Sequence, residues 1–573
     1  MDATNITQTV ADGYLQALAR RGIKYVFANS GTDFGPIIEA IARAKETGTR
    51  IPEFMIVPHE NVAISMANGY FETCGEMAAV MVHVTVGTAN ALCGLMNASR
   101  ENIPVLLAAG RTPITESGFP TSRNGTVHWG QESYDQGSML REYVKWDYEL
   151  RAGQPIDTVV GRALDIAMSD PKGPVYLTLP REVLANDAGN VGPMPRNRPL
   201  GMELTMPSAE AIEKAATLIA ATDKVLIITS RAGRTPQGFK ALADLAETHA
   251  IPVTQTTGVN LPSSHPMSLG APSKALLEWA DVIVVIDTLV PWMPSGARPR
   301  PETKLIHLGN DPMFTRIPFR GYESDVLIPG DTTGAMRMLN DALQVKLKAK
   351  GQAADKRRGM VAEMREKARA RQAKMIQDVK SSRPIHPIWL AHCINQVKDK
   401  SAIVVNELGV PASFLEFESS NSTFGASGAG GLGRGLGGAL GAKLAAPERQ
   451  VIASVGDGAY MFGCPIAAHF VGRAQNLPTL TIVSNNAEWV AVREATLRVS
   501  PSGAASRANV MPLTSLTPSP DFEKAVESCG GIGERIEDPE KLIPALERAL
   551  KHVADGKQVL LNVITEGARV GAG

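Results

Sequence analysis

The sequence predicts an α/β protein built from three doubly wound parallel-sheet domains, and three observations support that prediction. Short apolar runs alternate with segments of helical periodicity, the pattern of parallel sheets covered on both faces by helices. The chain has 573 residues, which is too many for a single hydrophobic core. A proline-rich break and a highly charged stretch divide it into sections of domain size.

The predicted domain boundaries follow these changes in composition. An N-terminal domain covers residues 1–190, and a proline-rich break at 192–196 separates it from a smaller central domain at 200–345. Residues 346–380 are dense in Lys, Arg, Glu and Ala; because acidic residues interrupt the basic ones, a solvated helical linker is favoured over a basic patch. The C-terminal domain covers residues 381–573.

The elements within each section are predicted from the period of their apolar residues. Strands are expected at residues 25–28, 54–57, 78–84, 105–109, 175–179, 225–229, 282–286, 403–405, 451–455, 480–483 and 559–564. Helices are expected at residues 11–20, 34–43, 63–71, 88–98 and 463–473. Strands followed by helices of this length indicate repeated βα units in each section.

Composition excludes several functional classes. Lys plus Arg and Asp plus Glu both number 58, so the net charge of zero argues against a nucleic-acid partner. The apolar runs are strand-sized and the N-terminus shows no secretory signal, so no membrane association is expected. Five scattered cysteines without metal-binding spacing are typical of a reduced, cytoplasmic protein.

The most informative stretch is the predicted strand–helix–strand unit at residues 451–486. Its first strand ends at Gly456-Asp457-Gly458 and its second at Ser484-Asn485-Asn486. A right-handed crossover would bring Asp457 and Asn486 side by side at the carboxyl edge of the sheet, where such folds bind ligands. Carboxylate and amide oxygens suit Mg²⁺, which would keep phosphate oxygens in its shell. Taken alone, the Gly-Asp-Gly tripeptide is more often a tight turn.

The segment GDGAYMFGCPIAAHFVGRAQNLPTLTIVSNN resembles the signature of enzymes that use thiamine diphosphate. The resemblance implies that the fold is of the thiamine diphosphate-dependent decarboxylase type, with Mg²⁺ held by Asp457, Asn486 and the carbonyl of Glu488. The implied cofactor contacts of this segment are Gly456, Asp457, Gly458, Ala459 and Asn486. The family often has glycine where this chain has Ala487, which is compatible with the site if the backbone angle there is ordinary.

Two further segments resemble the same family. Val57-Pro58-His59-Glu60-Asn61 is similar to its glutamate segment, which implies that Glu60 activates the cofactor through the pyrimidine ring. Alone, Glu60 would be a first-turn glutamate favoured by the helix dipole. Gly428-Ala429-Gly430-Gly431-Leu432-Gly433 is similar to the segment that bends the cofactor, with Leu432 as the wedge and the Gly430 carbonyl as an acceptor. A flexible loop or close helix packing is the alternative.

The N-terminal section resembles benzoylformate decarboxylase. In Asn29-Ser30-Gly31-Thr32-Asp33, Thr32 takes the place of a catalytic serine, and residues 82–90 keep a histidine as His83, which can transfer protons near neutrality. A core histidine is the alternative. A second active-site histidine is missing near residues 291–294, whereas His128-Trp129-Gly130-Gln131-Glu132 resembles an acetolactate synthase segment, which implies that Gln131 contacts the substrate.

The resemblance implies a thiamine diphosphate- and Mg²⁺-dependent decarboxylase of a 2-oxo acid, similar to benzoylformate decarboxylase, that works through a thiazolium ylide and an enamine. An acetolactate synthase-like carboligase or carbon–carbon lyase, acting on a 2-oxo acid or aldehyde, is one alternative. A non-catalytic cofactor-binding protein is another. FAD is not expected, because residues 207–345 carry no clear nucleotide fingerprint.

The resemblance also implies an oligomer. The family builds each cofactor pocket across two subunits, with the glutamate and the metal site in different domains. We therefore expect at least a homodimer and favour a homotetramer.

Overall fold

The computed structural model describes residues 8–188, 199–347, 353–508 and 510–567. It contains three sheets of six, five and six strands, and every strand pair within them is parallel. The predicted three-domain α/β fold is therefore confirmed. The predicted proline-rich linker at 192–196 lies outside the described residues.

The N-terminal domain carries the first sheet. Its strands are β1 (Tyr25–Ala28), β2 (Glu53–Ile56), β3 (Ala79–Val82), β4 (Leu106–Arg111), β5 (Asp147–Glu149) and β6 (Val175–Pro180). Its helices are α1 (Val10–Arg20), α2 (Gly35–Thr47), α3 (Glu60–Cys74), α4 (Val84–Arg100), α5 (Val127–Gly130), α6 (Ile156–Met168) and α7 (Arg181–Ala185). The strand order is β2-β1-β3-β4-β6-β5.

The central domain carries the second sheet. Its strands are β7 (Val225–Thr229), β8 (Val253–Gln255), β9 (Val282–Ile286), β10 (Lys304–Gly309) and β11 (Val326–Pro329). Its helices are α8 (Ala209–Ala220), α9 (Pro236–His249), α10 (Lys274–Trp279) and α11 (Thr332–Leu347). The strand order is β11-β10-β9-β7-β8. The long helix α12 (Ala353–Val379) falls within the predicted linker, and its buried Arg357 donates to the carbonyl of His249 at 3.2 Å, so it packs against this domain.

The C-terminal domain carries the third sheet. Its strands are β12 (Ile403–Glu407), β13 (Thr423–Gly425), β14 (Val451–Gly456), β15 (Leu480–Asn485), β16 (Ile532–Ile536) and β17 (Val559–Ile564). Its helices are α13 (Pro387–Val397), α14 (Arg434–Ala445), α15 (Asp457–Phe462), α16 (Pro465–Ala474), α17 (Val490–Val499), α18 (Ala504–Arg507), α19 (Phe522–Ser528) and α20 (Leu542–Ala554). The strand order is β13-β12-β14-β15-β17-β16.

The N-terminal and C-terminal sheets share one hydrophobic core. Buried apolar residues of α3, such as Met66, lie in the same cluster as buried residues of α14, such as Leu440. The two helices approach closely because glycines line the crossing: a Cβ added to Gly69 would lie 2.0 Å from the Gly438 carbonyl oxygen, and one on Gly441 would lie 2.0 Å from the Met66 carbonyl oxygen. This crossing fixes how the outer sheets face each other.

Candidate functional site

The first part of the site lies at the carboxyl edge of the C-terminal sheet. β14 and β15 pair in register, with Gly456 opposite Ser484, so the residues that follow both strands meet. Asp457 Oδ2 accepts hydrogen bonds from the backbone nitrogens of Asn486 at 3.1 Å and Ala487 at 2.7 Å. Asp457 and Asn486, predicted to lie side by side, are in direct contact.

Asp457 is a carboxylate that needs a cation. Its side chain is buried, and burial raises its pKa, although several backbone N–H groups oppose that shift. Within the described chain no arginine or lysine forms an ion pair with it. Because a buried charge without a partner is costly, this carboxylate and the nearby amide oxygen of Asn486 fit a hard divalent cation.

The two asparagines of the Asn-Asn pair have different surroundings. Asn485 is buried and donates to Asn562 Oδ1 at 3.0 Å and to Ser519 Oγ at 2.9 Å, which makes it structural. Asn486 is half-buried, and its Oδ1 accepts only the backbone N–H of Glu488 at 2.9 Å. An amide oxygen has two lone pairs, so Asn486 can still coordinate a cation.

Ala487 does not have the ordinary backbone angle on which its compatibility with the site depended. Its φ is +53°, in the left-handed region that favours glycine, and its N–H is the closer of the two donors to Asp457 Oδ2. A Cβ in this region costs about 1–2 kcal/mol. The left-handed conformation of Ala487 is therefore an energetic cost of the hydrogen bond that holds the carboxylate.

Replacing Ala487 with glycine should stabilise the protein. Relief of the left-handed strain outweighs the extra freedom of glycine in the unfolded chain by roughly 0.5 kcal/mol. Thermal unfolding of A487G against the parent would measure this. As a control, A491G lies in the regular helix α17 at an exposed position, where glycine should destabilise by about 1 kcal/mol. A lower unfolding temperature for A487G would contradict the strain argument.

The start of α15 lies beneath an indole ring. A Cβ on Gly458 would lie 2.1 Å from the Trp489 ring, and Trp489 makes an edge contact with Phe462 at 6.0 Å between ring centroids. Beside it, Ala459 is buried in the first turn of the helix, and Gly456 passes close to the Leu408 carbonyl. The predicted diphosphate position at this helix start therefore adjoins Trp489.

Cofactor binding should change the fluorescence of Trp489. A diphosphate placed at the Gly458 backbone would contact or displace the indole, since the ring rests on that peptide. We expect a saturable intensity change when thiamine diphosphate and Mg²⁺ are added together, and loss of most of that change in W489F. W292F is the control, because Trp292 packs on Tyr322 in the central domain. An unchanged titration in W489F would show that the signal arises elsewhere.

The glycine-rich segment lies between the two outer domains. Gly430 and Gly433 have φ of +72° and +87°, angles that glycine adopts at little cost. Leu432 is half-buried, and its carbonyl accepts from Asn61 Nδ2 at 3.3 Å. Gly431 is held by Asn97, which donates to the Gly431 carbonyl at 2.8 Å. The predicted wedge is therefore supported from the N-terminal domain.

Glu407 anchors this segment, and the sequence analysis did not identify it. Its buried carboxylate accepts the backbone N–H groups of Gly433 at 2.9 Å, Arg434 at 3.2 Å and Gly435 at 2.7 Å, at the start of α14. Burial raises its pKa. A carboxylate at a helix N-terminus is stabilised by the free N–H groups and the helix dipole. The only available signal was an acidic residue ending an otherwise apolar strand.

Glu60 lies at the N-terminus of α3, buried to 7% exposure. Its carboxylate oxygens accept from Asn29 Nδ2 at 2.9 Å and from Asn90 Nδ2. In the described chain it has no ion-pair partner. A carboxylate held by two amides in a closed position is more constrained than an ordinary first-turn glutamate, and it can accept or donate a proton towards a ligand beside Leu432.

Within the described chain α3 and α14 cross closely at their glycines, and an ion pair of 2.8 Å between Arg434 and Glu72 reinforces the crossing. That each cofactor pocket combines Glu60 of one subunit with Asp457 of another stays a prediction. Co-expression of E60Q and D457N chains tests the assignment. Sites formed within chains leave every mixed oligomer inactive, whereas sites formed between chains restore one intact site in each mixed dimer.

His83 contacts Asp33 rather than Thr32. His83 Nδ1 lies 2.5 Å from Asp33 Oδ1, and the side chain of Gln131 lies 3.1 Å from His83 Nε2. Thr32 is exposed, and its carbonyl accepts from Arg181. The structure thus brings two of the predicted residues together, His83 and Gln131, and adds Asp33, which the sequence analysis quoted only as a neighbour of Thr32.

Two tryptophans of the segments compared with the family, Trp129 and Trp292, have different surroundings. Trp292 packs edge-on against Tyr322, whose hydroxyl donates to the Trp292 carbonyl at 2.8 Å, so it belongs to the central domain. Trp129 is 50% exposed and stacks with the guanidinium of Arg123. It is therefore a surface residue and not a core aromatic.

A buried carboxylate whose neighbour Asn61 contacts the glycine-rich segment, and a second carboxylate beside an amide at a parallel sheet edge, are consistent with a cofactor-binding α/β enzyme. Three family descriptions match the chain: the N-terminal TPP binding domain of thiamine pyrophosphate enzymes over residues 8–139, their central domain over 212–339 and their C-terminal TPP binding domain over 408–563. The chain belongs to the thiamine pyrophosphate enzyme family, and it is a thiamine diphosphate-dependent carboxy-lyase or carboligase.

Full-length relatives support this assignment. The acetolactate synthase isozyme 3 large subunit of Escherichia coli is 25% identical and covers 97% of this chain and 95% of its own length. Benzoylformate decarboxylase of Pseudomonas aeruginosa is 25% identical and covers 85% of this chain and 87% of its own. The solved structure of a Rhodococcus jostii thiamine diphosphate-dependent 4-hydroxybenzoylformate decarboxylase shares the fold, with a TM-score of 0.74, 21% identity and coverage of 98% and 100%.

Among the described residues, no helix is both long and apolar enough to cross a membrane.

Proposed function

We propose that the protein is a thiamine diphosphate- and Mg²⁺-dependent decarboxylase of a 2-oxo acid, with a benzoylformate decarboxylase-like activity. One observation carries the proposal: Glu60 and Asp457 are buried carboxylates without an ion-pair partner among the described residues, and the residue after Glu60 contacts the Leu432 segment through the Asn61–Leu432 hydrogen bond. Such an arrangement suits a cofactor with a neutral ring at one end and a diphosphate at the other. When bound, thiamine diphosphate supplies a nucleophilic carbon and an electron sink.

Each residue has a distinct part in this proposal. Asp457, Asn486 and the Glu488 carbonyl would hold Mg²⁺ and the diphosphate bound to it. Glu60 would exchange a proton with the pyrimidine ring, and Asn29 and Asn90 keep its carboxylate in place.

The protein side of the reaction also needs a wedge and a proton donor. Leu432 would support the cofactor between its two rings, and the Gly430 carbonyl would be the acceptor for its aminopyrimidine. His83 moves a proton on the substrate, with Gln131 beside it. Thr32 remains a predicted catalytic residue that handles protons together with His83, and its side chain is exposed.

The second candidate is an acetolactate synthase-like carboligase or carbon–carbon lyase. The close contact of Gln131 with His83 favours it, since the amide is a substrate contact in the resemblance to acetolactate synthases. Here too the substrate would be a small 2-oxo acid or aldehyde.

Incubation with thiamine diphosphate, Mg²⁺ and a panel of 2-oxo acids tests both candidates. Carbon dioxide and free aldehyde indicate a decarboxylase, whereas acyloin products that appear when an aldehyde acceptor is added indicate a carboligase. Absence of carbon dioxide from every acid would contradict the decarboxylase and the decarboxylating carboligase, and it would favour a lyase of acyloins or acyl-thioesters.

We propose that FAD is not part of this enzyme. A cavity of about 390 Å³ lies at the edge of the central sheet, but the arginines that follow β7 are engaged elsewhere. Arg231 pairs with Glu101 at 2.8 Å, and Arg234 donates to the Glu101 carbonyl at 2.8 Å. These contacts join the central and N-terminal domains. A flavin band in the visible absorption of the purified protein would contradict the proposal.

We also propose a homo-oligomer, at least a dimer and preferably a tetramer, in the cytoplasm. Exposed apolar side chains on α15 and α16, namely Phe462, Ile466 and Phe470, support a subunit contact. Light scattering of the purified protein would measure the assembly, and a monomeric mass would contradict it.

A further inference from the structure

The buried Asp33 and the half-buried His83 form a pair beside Glu60. Asp33 is 3% exposed and lies on the short 3₁₀ turn Thr32–Phe34, which follows β1. Its Oδ1 is 2.5 Å from His83 Nδ1, and its Oδ2 accepts weakly from the Val84 backbone nitrogen at 3.4 Å. A carboxylate on Nδ1 selects the tautomer in which Nδ1 carries a hydrogen, so Nε2 is the ring atom left for chemistry.

The backbone is shaped to admit this pair. A Cβ on Gly31 would lie 2.1 Å from His83 Nδ1, and a Cβ on Gly110 would lie 1.8 Å from Asp33 Oδ2. Val84, which follows the histidine, has a φ of +26°, an outlier for a β-branched residue. Such strain persists where the surrounding structure fixes it, and it is concentrated at functional sites. The contact is therefore a built arrangement and not an accidental approach.

The other ring nitrogen faces an amide that can serve both protonation states. Gln131 Nε2 lies 3.1 Å from His83 Nε2, and the buried Gln131 Oε1 has no hydrogen-bond partner among the described residues. With its NH₂ group towards His83 Nε2, the Gln131 amide donates a hydrogen bond to a neutral ring. Turned by 180°, its oxygen accepts from Nε2–H of a charged ring. The Gln131 backbone is fixed meanwhile, since Thr85 Oγ1 donates to its carbonyl at 2.8 Å.

We propose that Asp33 is a positioning residue of the active site: it fixes the His83 ring so that Nε2 faces the substrate and carries the proton exchanged there. The inference rests on the proposed function and adds a residue to it. In the transfer the Nε2–H bond breaks, the proton passes to the substrate, and neutral imidazole remains with Nδ1–H still donating to Asp33. The reverse step restores the charged ring, so protons balance over one cycle.

The charges around His83 set the pH at which this transfer works. The hydrogen bond that His83 donates to Asp33 raises the pKa of His83, burial opposes the shift, and Glu60 adds to it from α3. Arg181 of α7 and His128 of α5 face the pair; Arg181 is cationic, whereas burial lowers the pKa of His128 and so favours its neutral form. Because its pKa is raised, His83 stays protonated below that value and loses its proton as the pH rises through it.

The test compares the parent with D33N, an isosteric change that keeps an acceptor for Nδ1–H but removes the negative charge. The pKa of His83, followed by NMR of its ring nitrogens and assigned with H83N, should fall by about one unit. The pKa of the alkaline limb in the pH profile of kcat/KM should fall by the same amount. At pH values above the alkaline pKa of the parent, kcat/KM should therefore fall about tenfold. The substrate is the 2-oxo acid that releases carbon dioxide fastest.

Two controls separate positioning from folding. D157N alters another buried aspartate of the same domain, which pairs with Arg20, and should lower the unfolding temperature without moving the pH profile. In an H83N background, D33N should have no further effect on kcat. An unchanged His83 titration in D33N would overturn the proposal. The NMR titration needs no turnover. It therefore tests the role of Asp33 even if neither the parent nor any variant decarboxylates a 2-oxo acid.

Discussion

Replacing Glu60 with glutamine should lower kcat by about 10²–10⁴-fold, the range for loss of a positioned acid or base. Glutamine has the same size but cannot exchange a proton with the pyrimidine ring. It can still accept from Asn29 through its amide oxygen, so the fold and the diphosphate end of the site stay intact. Carbon dioxide release under single-turnover and steady-state conditions would measure the loss.

Glu210 provides the matched control for Glu60. It also lies in the first turn of a helix, α8, but it is exposed and pairs with Lys214. If Glu60 served only the helix dipole, E60Q and E210Q would behave alike, with a small loss of stability and unchanged turnover. Equal kcat values for the two variants would therefore remove the basis of the proposed mechanism.

Replacing Asp457 with asparagine should weaken the binding of Mg²⁺ and thiamine diphosphate by more than about 100-fold. Loss of an indirect partner of a metal ligand costs about 10–100-fold, and a direct ligand exceeds that. At 100 times Kd, the cofactor should stabilise the parent by about 2.7 kcal/mol, and this gain should vanish in D457N. Calorimetric titration and thermal unfolding with and without cofactor would measure both effects.

Without cofactor, the D457N substitution should not lower the stability of the protein. Since burial raises the pKa of Asp457, its contribution to stability is present below the unfolded pKa and is lost as the pH rises through the folded value. At neutral pH D457N should therefore unfold at the same or a higher temperature than the parent when both lack cofactor. D287N is the control: Asp287 follows the carboxyl end of β9 in the central domain, and its replacement should leave cofactor affinity unchanged. Equal cofactor affinity in D457N and the parent would contradict the metal site.

The sequence was informative where strands are buried on both faces. β7, β9 and β17 begin and end at the predicted residues, because their continuous apolar runs leave no ambiguity. Six strands were not predicted, and five of them lie at sheet edges: β5, β8, β11, β13 and β16. Edge strands are short and partly exposed, so β5 reads Asp-Tyr-Glu and carries no apolar signal.

The candidate site divides in a similar way. The contact of Asp457 with Asn486 follows from topology alone, since parallel strands deliver their ends to one edge. The contact of Asp33 with His83 does not follow from topology, because it depends on which side chain of a 3₁₀ turn points towards the histidine. The resemblance to the family assigned the catalytic position in this turn to Thr32. The left-handed angle of Ala487 was equally hidden, since alanine gives no sign of positive φ.

The glycine-lined crossing of α3 and α14 has a practical consequence for protein engineering. It sets how α3, which begins at Glu60, lies against α14, which follows the Leu432 segment, so glycines remote from Glu60 and Leu432 fix the relative position of these two helices. A methyl group on Gly69 or Gly441 would meet backbone and not a movable side chain. Libraries that aim to change substrate choice should therefore leave this crossing untouched and vary the surroundings of Gln131 instead.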